Sequence, residues 1–458
     1  MLKELTLKNF KSWKSIDRMR IAPITGLFGT NSSGKSSIFH SLLLLKQTLE
    51  SADRSLPLYF GGERDYVELG SFRDVIYRHE ADDTLRFEFQ WGLPKDLKVD
   101  DPNNPTNPPL FQGRDMVFST EVFIEKEKLR VRQFSYKLGG EEFSLRHKKG
   151  NQYGDLLSTT SPISNFKFVR TQGRAWDLPK PFKFHGFPDQ AITYYQNSGF
   201  LPDLQQQLEE LFSRIYYLGP LREYPKRRYI WAGGEPHDMG RRGERTIDAI
   251  LAARDRGPNI SPGKGRHRRT LEERIAYWLR ELGLIHSFSV SPIGNGSGLY
   301  EVKVKREPRS AEVLITDVGF GVSQILPVLV LCYYVPEGST ILLEQPEIHL
   351  HPSVQMGLAD VFIDVMKHRN IQIILESHSE HVLSRLQRRL AEEALEQRDV
   401  SLYFCSMGTS GSRLDPLELD AFGNILNWPE DFFGDRFGET VAMQEAGLKR
   451  KLSMEASD

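Results

Sequence analysis

This chain of 458 residues has few cysteines, few long apolar runs and almost no net charge. The two cysteines, Cys332 and Cys405, lie far apart in apolar stretches, which supports neither a disulfide framework nor a zinc site. The longest apolar run, from Ile325 to Val335, contains Pro327 and falls well short of the ~18–20 residues that a membrane span requires. Sixty basic residues nearly balance sixty-one acidic ones, so any nucleic-acid or membrane surface has to be local.

A targeting segment and internal repeats are not visible either. The first residues, Met1 to Trp13, alternate charged with apolar side chains and lack the apolar core of a signal peptide. The apolar content of 39% and the charged content of 26% are typical of a soluble globular protein. We therefore expect a cytoplasmic protein without a membrane partner.

One glycine-rich segment lies between a strand-like and a helix-like stretch. Residues 29–36 read Gly-Thr-Asn-Ser-Ser-Gly-Lys-Ser, the G-x-x-x-x-G-K-S pattern of a phosphate-binding loop. Residues 24–28 before it are typical of a strand, and residues 37–45 after it have the apolar face of a helix. This context disfavours a chance glycine turn, because the loop amides and the helix N-terminus would face the same anion. We predict that the nucleotide is bound by Gly29, Asn31, Ser33, Gly34, Lys35, Ser36 and Ser37.

Within this loop two side chains have distinct predicted roles. Lys35 would reach the β- and γ-phosphates as a point charge, and the Ser36 hydroxyl would occupy one position on Mg²⁺. The metal also needs an acidic partner at the end of a neighbouring buried strand. The apolar run 340–343 ends in Glu344, which we predict to be that partner, so the predicted metal ligands are Ser36 and Glu344.

The residues that follow Glu344 are the candidates for hydrolysis chemistry. Gln345 occupies the position where many ATPases of this layout carry a glutamate that polarises the attacking water. An amide can orient water but cannot accept its proton, so hydrolysis is expected to be slow or conditional. Glu347 is the nearest candidate base. A second buried strand, 371–375, leads to His378, which could contact a γ-phosphate as a sensor, although a helix-capping serine beside a surface histidine is the simpler alternative.

A second glycine-rich stretch, Asp317 to Gln324, precedes an apolar helix predicted over 325–334. Small residues at a helix start suit contact with an anion, either in the same chain or in a partner chain. The candidate residues here are Gly319, Gly321, Ser323 and Gln324. The pair His349 and His351 lacks a matching third ligand, which makes a metal site there improbable.

The order of predicted elements indicates an α/β protein with added parts. Residues 84–149 alternate as in an antiparallel sheet with an exposed loop from 100 to 109, residues 201–215 and most of 246–284 are helix-like, and 288–305 form a hairpin. Strands and helices alternate from 340 to 405, with helices predicted over 353–368 and 380–395, as in a parallel, helix-covered sheet. We divide the chain into an N-terminal lobe (1–150), an insertion (151–310), a C-terminal lobe (311–400) and a short C-terminal module with a polar tail (401–458).

A local excess of positive charge lies between Arg222 and Arg274, with 14 lysines and arginines against 8 acidic residues. One interpretation is contact with the phosphate backbone of DNA or RNA, helped by the stacking residues Tyr224, Tyr229 and Trp231. The other is a solvated loop, or arginines paired with acids at a protein interface. The sequence leaves both open.

Taken together, the motifs resemble an ABC-type ATPase head, in the family that includes the SMC and OLD proteins and the AAA-labelled ATPases of bacterial defence loci. The resemblance rests on the opening Leu-Lys-Asn-Phe-Lys-Ser and the phosphate loop, and on the stretches around Gly319, Glu344 and His378. Tyr217-Leu218-Gly219-Pro220-Leu221-Arg222-Glu223 and Asn427-Trp428-Pro429-Glu430 are typical of a branch with a short C-terminal module of unknown function.

The resemblance implies an α/β head with a mixed or parallel core sheet, an antiparallel β subdomain and a helical insertion. It implies ATP and Mg²⁺ as cofactors, and a homodimer or higher oligomer in which the turn at Gly319 and Gly321 closes on the partner's nucleotide. The favoured function is a nucleotide-dependent switch in anti-phage defence or DNA transactions that controls a separately encoded effector, a nuclease or toxin. A non-hydrolysing scaffold and, less favoured, a transporter ATPase subunit are the alternatives.

Overall fold

The computed structural model describes residues 1–80, 82–100, 109–154, 156–159, 166–171, 173, 177–261, 263, 265–294, 296–429, 432 and 442–447. Within this part of the chain the strands are β1 Leu2–Phe10, β2 Trp13–Arg20, β3 Ile24–Gly29, β4 Leu85–Val99, β5 Phe111–Glu125, β6 Lys128–Leu138, β7 Glu141–Lys149, β8 Gln152–Tyr153, β9 Leu157–Thr159, β10 Ile215–Leu218, β11 Tyr229–Ile230, β12 Ser287–Pro292, β13 Leu299–Lys305, β14 Glu312–Leu314, β15 Thr340–Glu344, β16 Gln372–Glu376, β17 Val400–Gly408 and β18 Gly411–Pro416.

The helices are α1 Lys35–Glu50, α2 Phe72–Val75, α3 Asp189–Tyr194, α4 Leu201–Ser213, α5 Thr246–Ala252, α6 Leu271–Glu281, α7 Phe320–Tyr334, α8 Pro352–Arg369 and α9 Glu380–Ala391. None of the helices in the described part of the chain combines the length and the apolarity that crossing a membrane demands.

The central sheet has six strands in the order β10-β15-β16-β3-β17-β18. The first five are parallel, and β18 returns antiparallel to β17. Strands β15 and β16 are buried along their whole length, as expected for strands covered on both faces. Each of the four segments drawn from the sequence contributes at least one strand to this sheet. The four-part division itself stays a prediction.

The second large sheet is antiparallel and has eight strands, in the order β2-β1-β4-β5-β6-β7-β8 with β9 paired to β7. In β4, buried and partly exposed residues alternate from Leu85 to Leu93, because one face of the strand packs on the core. A smaller sheet pairs β12 with β13 and adds β11 and β14. The predicted hairpin over 288–305 is thereby confirmed, although Asn295 in its turn lies outside the described residues.

Two apolar cores lie on opposite faces of the central sheet. One contains α1 and the antiparallel sheet and includes Tyr217 and Leu342. The other contains α5 to α9 and includes Tyr216 and Leu343. The predicted fold class, α/β with a mixed core sheet, flanking helices, an antiparallel β part and a helical insertion, is confirmed.

Two predicted boundaries differ from the structure. Helix α7 begins at Phe320 rather than Ile325, because Val322 is buried with the later apolar residues of the helix and Gly319 serves as its N-cap. The predicted glycine turn from 317 to 324 is therefore half helix. Helix α9 ends at Ala391 rather than near residue 395. The loop predicted from 100 to 109 and the polar tail lie largely outside the described residues.

Candidate nucleotide-binding site

The predicted phosphate loop connects the end of β3 to the start of α1. Gly29, the last residue of β3, has φ +133°, and a Cβ there would overlap the carbonyl of Cys405 on the neighbouring strand β17. Gly34, the N-cap of α1, has φ +91°. Both positions therefore require glycine, for backbone conformation and for close approach. Thr30, Asn31 and the left-handed Ser32 between them are exposed.

Two neighbouring segments hold this loop in place. The Trp13 indole donates from Nε1 to the Gly34 carbonyl at 2.9 Å. A hydrogen bond of 2.7 Å joins the hydroxyls of Ser12 and Ser412, which ties the β17–β18 hairpin to the same point. A Cβ on Gly34 would lie 2.5 Å from each of those hydroxyl oxygens. The loop is thus fixed by residues from both ends of the chain.

Lys35 lies inside the loop. Its Nζ donates to the carbonyls of Gly29 at 3.1 Å and Thr30 at 2.7 Å, and the side chain is 3% exposed. Burial lowers the pKa of this ammonium, while the nearby Glu376 carboxylate opposes that shift. A buried cation held by loop carbonyls is placed to meet an anion that enters the loop.

Two carboxylates meet beside Ser36. Glu344 and Glu376 end the adjacent parallel strands β15 and β16 and are paired in register. The Ser36 hydroxyl donates to Oε2 of Glu376 at 2.7 Å. The sequence prediction named Glu344 as the acidic ligand of Mg²⁺ alongside Ser36 and gave Glu376 no role. In the structure the carboxylate that accepts from Ser36 is Glu376, because β16 lies between β15 and β3 in the sheet.

Both carboxylates are destabilised in their charged form. Burial, and then the charge of Glu376, raises the pKa of Glu344 to about 7. Burial also raises the pKa of Glu376, while hydrogen bonds from Ser36 and from the Gln345 side chain and the charge of Lys35 oppose the shift. A cation bound next to Glu344 and Glu376 would lower the pKa of both carboxyl groups.

This donor set fits Mg²⁺. Magnesium prefers hard oxygen ligands and is usually held by one or two carboxylates together with phosphate oxygens. The Ser36 hydroxyl and the carboxylates of Glu344 and Glu376 are such ligands. In the described ranges, no group of three or more His, Cys, Asp or Glu side chains could hold a metal ion alone. Phosphate oxygens would therefore have to complete the coordination.

The turn after Glu344 has an unusual backbone. Gln345 has φ +43°, which is uncommon for a residue other than glycine, and its backbone N–H donates to the Glu376 carbonyl at 2.8 Å. Its side-chain amide lies near the Glu376 carboxylate. Gln345, the residue at the predicted water-polarising position, therefore lies next to Glu376.

Glu347, the candidate base, is 7% exposed. Its Oε1 accepts from the backbone N–H of His378 at 2.7 Å, and burial raises the pKa of the carboxyl group. Its Oε2 is buried without a hydrogen-bond partner among the described residues. The structure therefore shows Glu347 holding the turn that carries His378. Its role as a base stays a prediction.

His378 lies at the phosphate loop, as a sensor histidine would. Its ring lies near the backbone of Gly29 and the charge of Lys35. Burial, and then the charge of Lys35, lowers the pKa of this imidazole. A neutral ring next to the loop could donate to a phosphate oxygen without adding charge.

The glycine stretch before α7 is a separate surface. Gly319 is exposed, and a Cβ there would meet no atom within 4 Å. Ser323 and Gln324, by contrast, are 7% and 3% exposed, and the Ser323 hydroxyl donates to the Phe320 carbonyl of its own helix. Gly319 can therefore face a ligand or partner, whereas Gly321 is half-buried and Ser323 and Gln324 lie inside the helix packing.

Three residues near the carboxylates had no role assigned from the sequence. The Tyr217 hydroxyl donates to Oε1 of Glu344 at 3.0 Å, and Arg222 Nη2 donates to the Glu344 carbonyl at 3.3 Å. Lys11 donates to Nδ1 of His40 at 2.8 Å and is close enough for its charge to favour the ionised form of Glu344. All three belong to stretches that carried the family resemblance, which was the only available signal.

The basic region from 222 to 274 is partly paired within the protein. Arg222 and Arg274, its first and last residues, are buried at 7% and 3% exposure. Salt bridges join Arg274 to Asp364, Arg227 to Asp317 at 2.7 Å, Arg254 to Glu272 at 2.9 Å and Arg256 to Glu235. Arginines paired with acids therefore account for a minority of this cluster. Nucleic-acid contact by the exposed remainder stays a prediction, and Lys264 lies outside the described residues.

Two family models match parts of the chain. Residues 271–383 match a family described as AAA ATPase domain, a range that includes Glu344, Gln345, Glu347 and His378. Residues 395–443 match a family described as protein of unknown function (DUF3696). No curated protein matches the chain. The segment 271–383 is thus similar to an AAA ATPase domain.

Solved structures of SMC heads also align with the chain at low identity. A structure of the SmcHead bound to the C-winged helix domain of ScpA shares 12% identity over 92% of this chain and 98% of that chain, with a TM-score of 0.45. The SMC head domain from Thermotoga maritima shares 15% identity over 91% and 99%, with a TM-score of 0.38. An Smc head domain bound to the C-terminal domain of ScpA from Pyrococcus furiosus shares 12% over 91% and 96%, at 0.42.

Proposed function

We propose that the protein binds ATP with Mg²⁺ at the phosphate loop and acts as a nucleotide-dependent switch. The observation that carries the proposal is the convergence on one loop of the Lys35 ammonium, the Ser36–Glu376 hydrogen bond, Glu344 and the His378 ring. These groups come from distant parts of the sequence, and they supply a phosphate cradle, oxygen ligands and a neutral donor. The match of residues 271–383 to an AAA ATPase domain supports the same reaction class.

In this proposal each group has one task. Loop amides and Lys35 bind the phosphates, and Ser36, Glu344 and Glu376 hold the metal, which offsets phosphate charge and orients the γ-phosphate. His378 donates to a phosphate oxygen. Gln345 orients water without accepting its proton, so turnover is slow unless Glu347 or a partner residue accepts the proton.

We further propose that bound ATP closes a homodimer in which the exposed turn at Gly319 faces the partner's nucleotide. The exposure of Gly319 and of Phe320 supports this arrangement. Control of a separately encoded effector, in anti-phage defence or DNA transactions, follows from the family resemblance alone. Identification of a nuclease or toxin that co-purifies with the protein would test it.

A scaffold that binds ATP without hydrolysing it is the second candidate. It is favoured by the amide side chain of Gln345, because no carboxylate then stands at the position after Glu344. Failure to detect phosphate release under any condition, including added DNA and the effector, would select this candidate over the switch.

The direct test of the site is ATP binding by Lys35→Ala. Loss of a charge-assisted donor should weaken ATP binding by about ten- to a hundredfold in titration calorimetry with Mg²⁺. The matched control is Lys183→Ala, because Lys183 is also buried and donates to two backbone carbonyls, those of Leu49 and Ser51, away from the loop. Equal ATP affinity in Lys35→Ala and wild type would overturn the site assignment.

A further inference from the structure

The segment Tyr217 to Arg222 makes two buried contacts to the carboxylate residue that ends strand β15. Tyr217 lies on β10, the edge strand that pairs in parallel with β15. Its hydroxyl donates to Oε1 of Glu344 at 3.0 Å. Four residues after β10, the Arg222 Nη2 donates to the backbone carbonyl of Glu344 at 3.3 Å. The acid is thus held at its side chain and at its main chain by one short segment.

The turn at Gly219 explains why the segment Tyr217 to Arg222 can reach Glu344. Gly219 turns the chain just after β10, and a Cβ there would lie 3.0 Å from the Tyr217 hydroxyl oxygen and 3.1 Å from the Arg241 carbonyl. The Gly219 N–H donates to that same carbonyl at 2.8 Å. A larger residue would displace either the hydroxyl or the turn that brings Arg222 back under Glu344.

Within the described part of the chain, Arg222 has one buried donor without a partner, as do Arg86, Arg130 and Arg274. It is 7% exposed, and its Nη1 is buried without a hydrogen-bond partner among the described residues. A buried guanidinium that serves packing alone would be expected to satisfy its donors. Its position beside Glu344 and Glu347 places one unused donor at the functional turn.

We propose that Tyr217 and Arg222 are positioning residues that hold Glu344 in the orientation needed to bind Mg²⁺ with ATP. The inference rests on the proposed ATP site and adds the residues that orient one of its ligands. Hydrogen-bond partners behind a metal ligand fix its orientation, and their removal typically weakens metal binding by about 10–100-fold. Tyr217 occupies Oε1, which leaves Oε2 of Glu344 for the metal.

The deciding measurement is the Mg²⁺ concentration that half-saturates ATP binding, followed by calorimetry or with a fluorescent ATP analogue. Tyr217→Phe deletes only the hydroxyl and should raise this concentration about tenfold or more, while ATP affinity in EDTA stays unchanged. Tyr216→Phe is the matched control, because Tyr216 is the adjacent β10 residue, is equally buried at 6% and packs in the core on the opposite face of the sheet. A merely structural loss would move EDTA affinity and thermal stability without a selective Mg²⁺ shift.

Arg222→Lys provides a second variant, because it keeps the charge and loses the planar guanidinium fork. It should shift the Mg²⁺ requirement in the same direction, and Arg222→Gln should shift it further. The inference is overturned if Tyr217→Phe and both Arg222 variants need no more Mg²⁺ than wild type and Tyr216→Phe. If Lys35→Ala binds ATP like wild type, or wild-type binding ignores Mg²⁺, the proposed ATP site fails first and this inference fails with it.

Discussion

His40 and Lys11 form a half-buried pair whose contribution to protein stability depends on pH. Lys11 donates to Nδ1 of His40, so the imidazole is neutral in the folded protein. Burial, and then the Lys11 charge, lowers the pKa of His40 to about 3, from about 6.5 in the unfolded chain. Because the unfolded state binds the proton first, this contribution to stability is fully present above pH 6.5 and is lost as the pH falls towards 3.

The expected loss between pH 7 and pH 5 is about 2 kcal/mol of the free energy of unfolding. His40→Asn should remove that part of the acid sensitivity, and urea denaturation at the two pH values measures it. The exposed His286→Asn serves as the control. An unchanged pH dependence in His40→Asn would show that the imidazole is already charged in the native protein.

Gln345 determines how fast the proposed ATPase can turn over. With an amide at this position, the basal rate should lie well below the ~10 s⁻¹ of a median enzyme. Gln345→Glu should accelerate phosphate release at saturating Mg²⁺, within the 10²–10⁴-fold range that a general base typically contributes. Saturating Mg²⁺ is needed because the new carboxylate would face Glu376.

Three variants separate the roles of neighbouring residues in that assay. Gln345→Ala removes the amide near Glu376 without adding a base and should not accelerate release. Glu344→Ala should abolish the Mg²⁺-dependent rate. Rapid release by the wild type that persists in Glu347→Gln would contradict this account of the turn.

At the scale of elements, the packing of α5 against α7 depends on one glycine. Gly243 has φ +75°, and a Cβ there would lie 2.7 Å from Cβ of Pro327 in the middle of α7. Gly243→Ala should therefore lower the free energy of unfolding by about 2–4 kcal/mol, from left-handed strain and overpacking together. Gly233→Ala isolates the strain, because Gly233 has φ +84° with no atom within 4 Å of its added Cβ.

Urea denaturation of the two variants gives the packing contribution by difference. Gly233→Ala should lower the free energy of unfolding by about 1–2 kcal/mol. If Gly243→Ala lowers the free energy of unfolding no more than Gly233→Ala does, α7 shifts at Pro327 to make room for the added methyl group. The contact then does not fix the position of the helix.

The elements themselves were largely predictable from sequence, whereas their boundaries and contacts were not. Apolar runs such as 340–343 predict buried strands because both faces of β15 are covered. The start of α7 was missed because two glycines disfavour helix locally, while the burial of Val322 favours it through tertiary packing. The phosphate loop was predictable because its residues are contiguous.

The rest of the site was not predictable because it depends on sheet order. Ser36 donates to Glu376 rather than Glu344 only because β16 lies between β15 and β3. Tyr217 reaches Glu344 only because β10 is the strand next to β15. Neither adjacency is recorded in local sequence patterns.

At the scale of the whole molecule, the exposed N-terminus of α7 is the contact surface of the proposed homodimer. Gly319 and Phe320 are exposed, and the Phe320 ring contacts Tyr224 and His349 at centroid distances of 5.7 and 5.3 Å. Helix α7 has 15 residues, so its N-terminus carries the partial positive charge that favours an anion. Within one chain, Lys35, Glu376 and His378 interact with residues of the phosphate loop and not with the turn at Gly319.

We therefore expect ATP with Mg²⁺, or a non-hydrolysable analogue, to convert a 52.6 kDa monomer into a species of twice that mass in light scattering. Phe320→Asp should prevent the conversion by placing a negative charge beside the partner's phosphates, while ATP binding by the monomer persists. Phe422→Asp is the control, because Phe422 is also exposed, at 77%, but lies in the C-terminal module. Unchanged mass and unchanged small-angle scattering on addition of the analogue would mean that the nucleotide site is complete within one chain. Dimerisation that survives Phe320→Asp but fails in Phe422→Asp would move the interface to the C-terminal module.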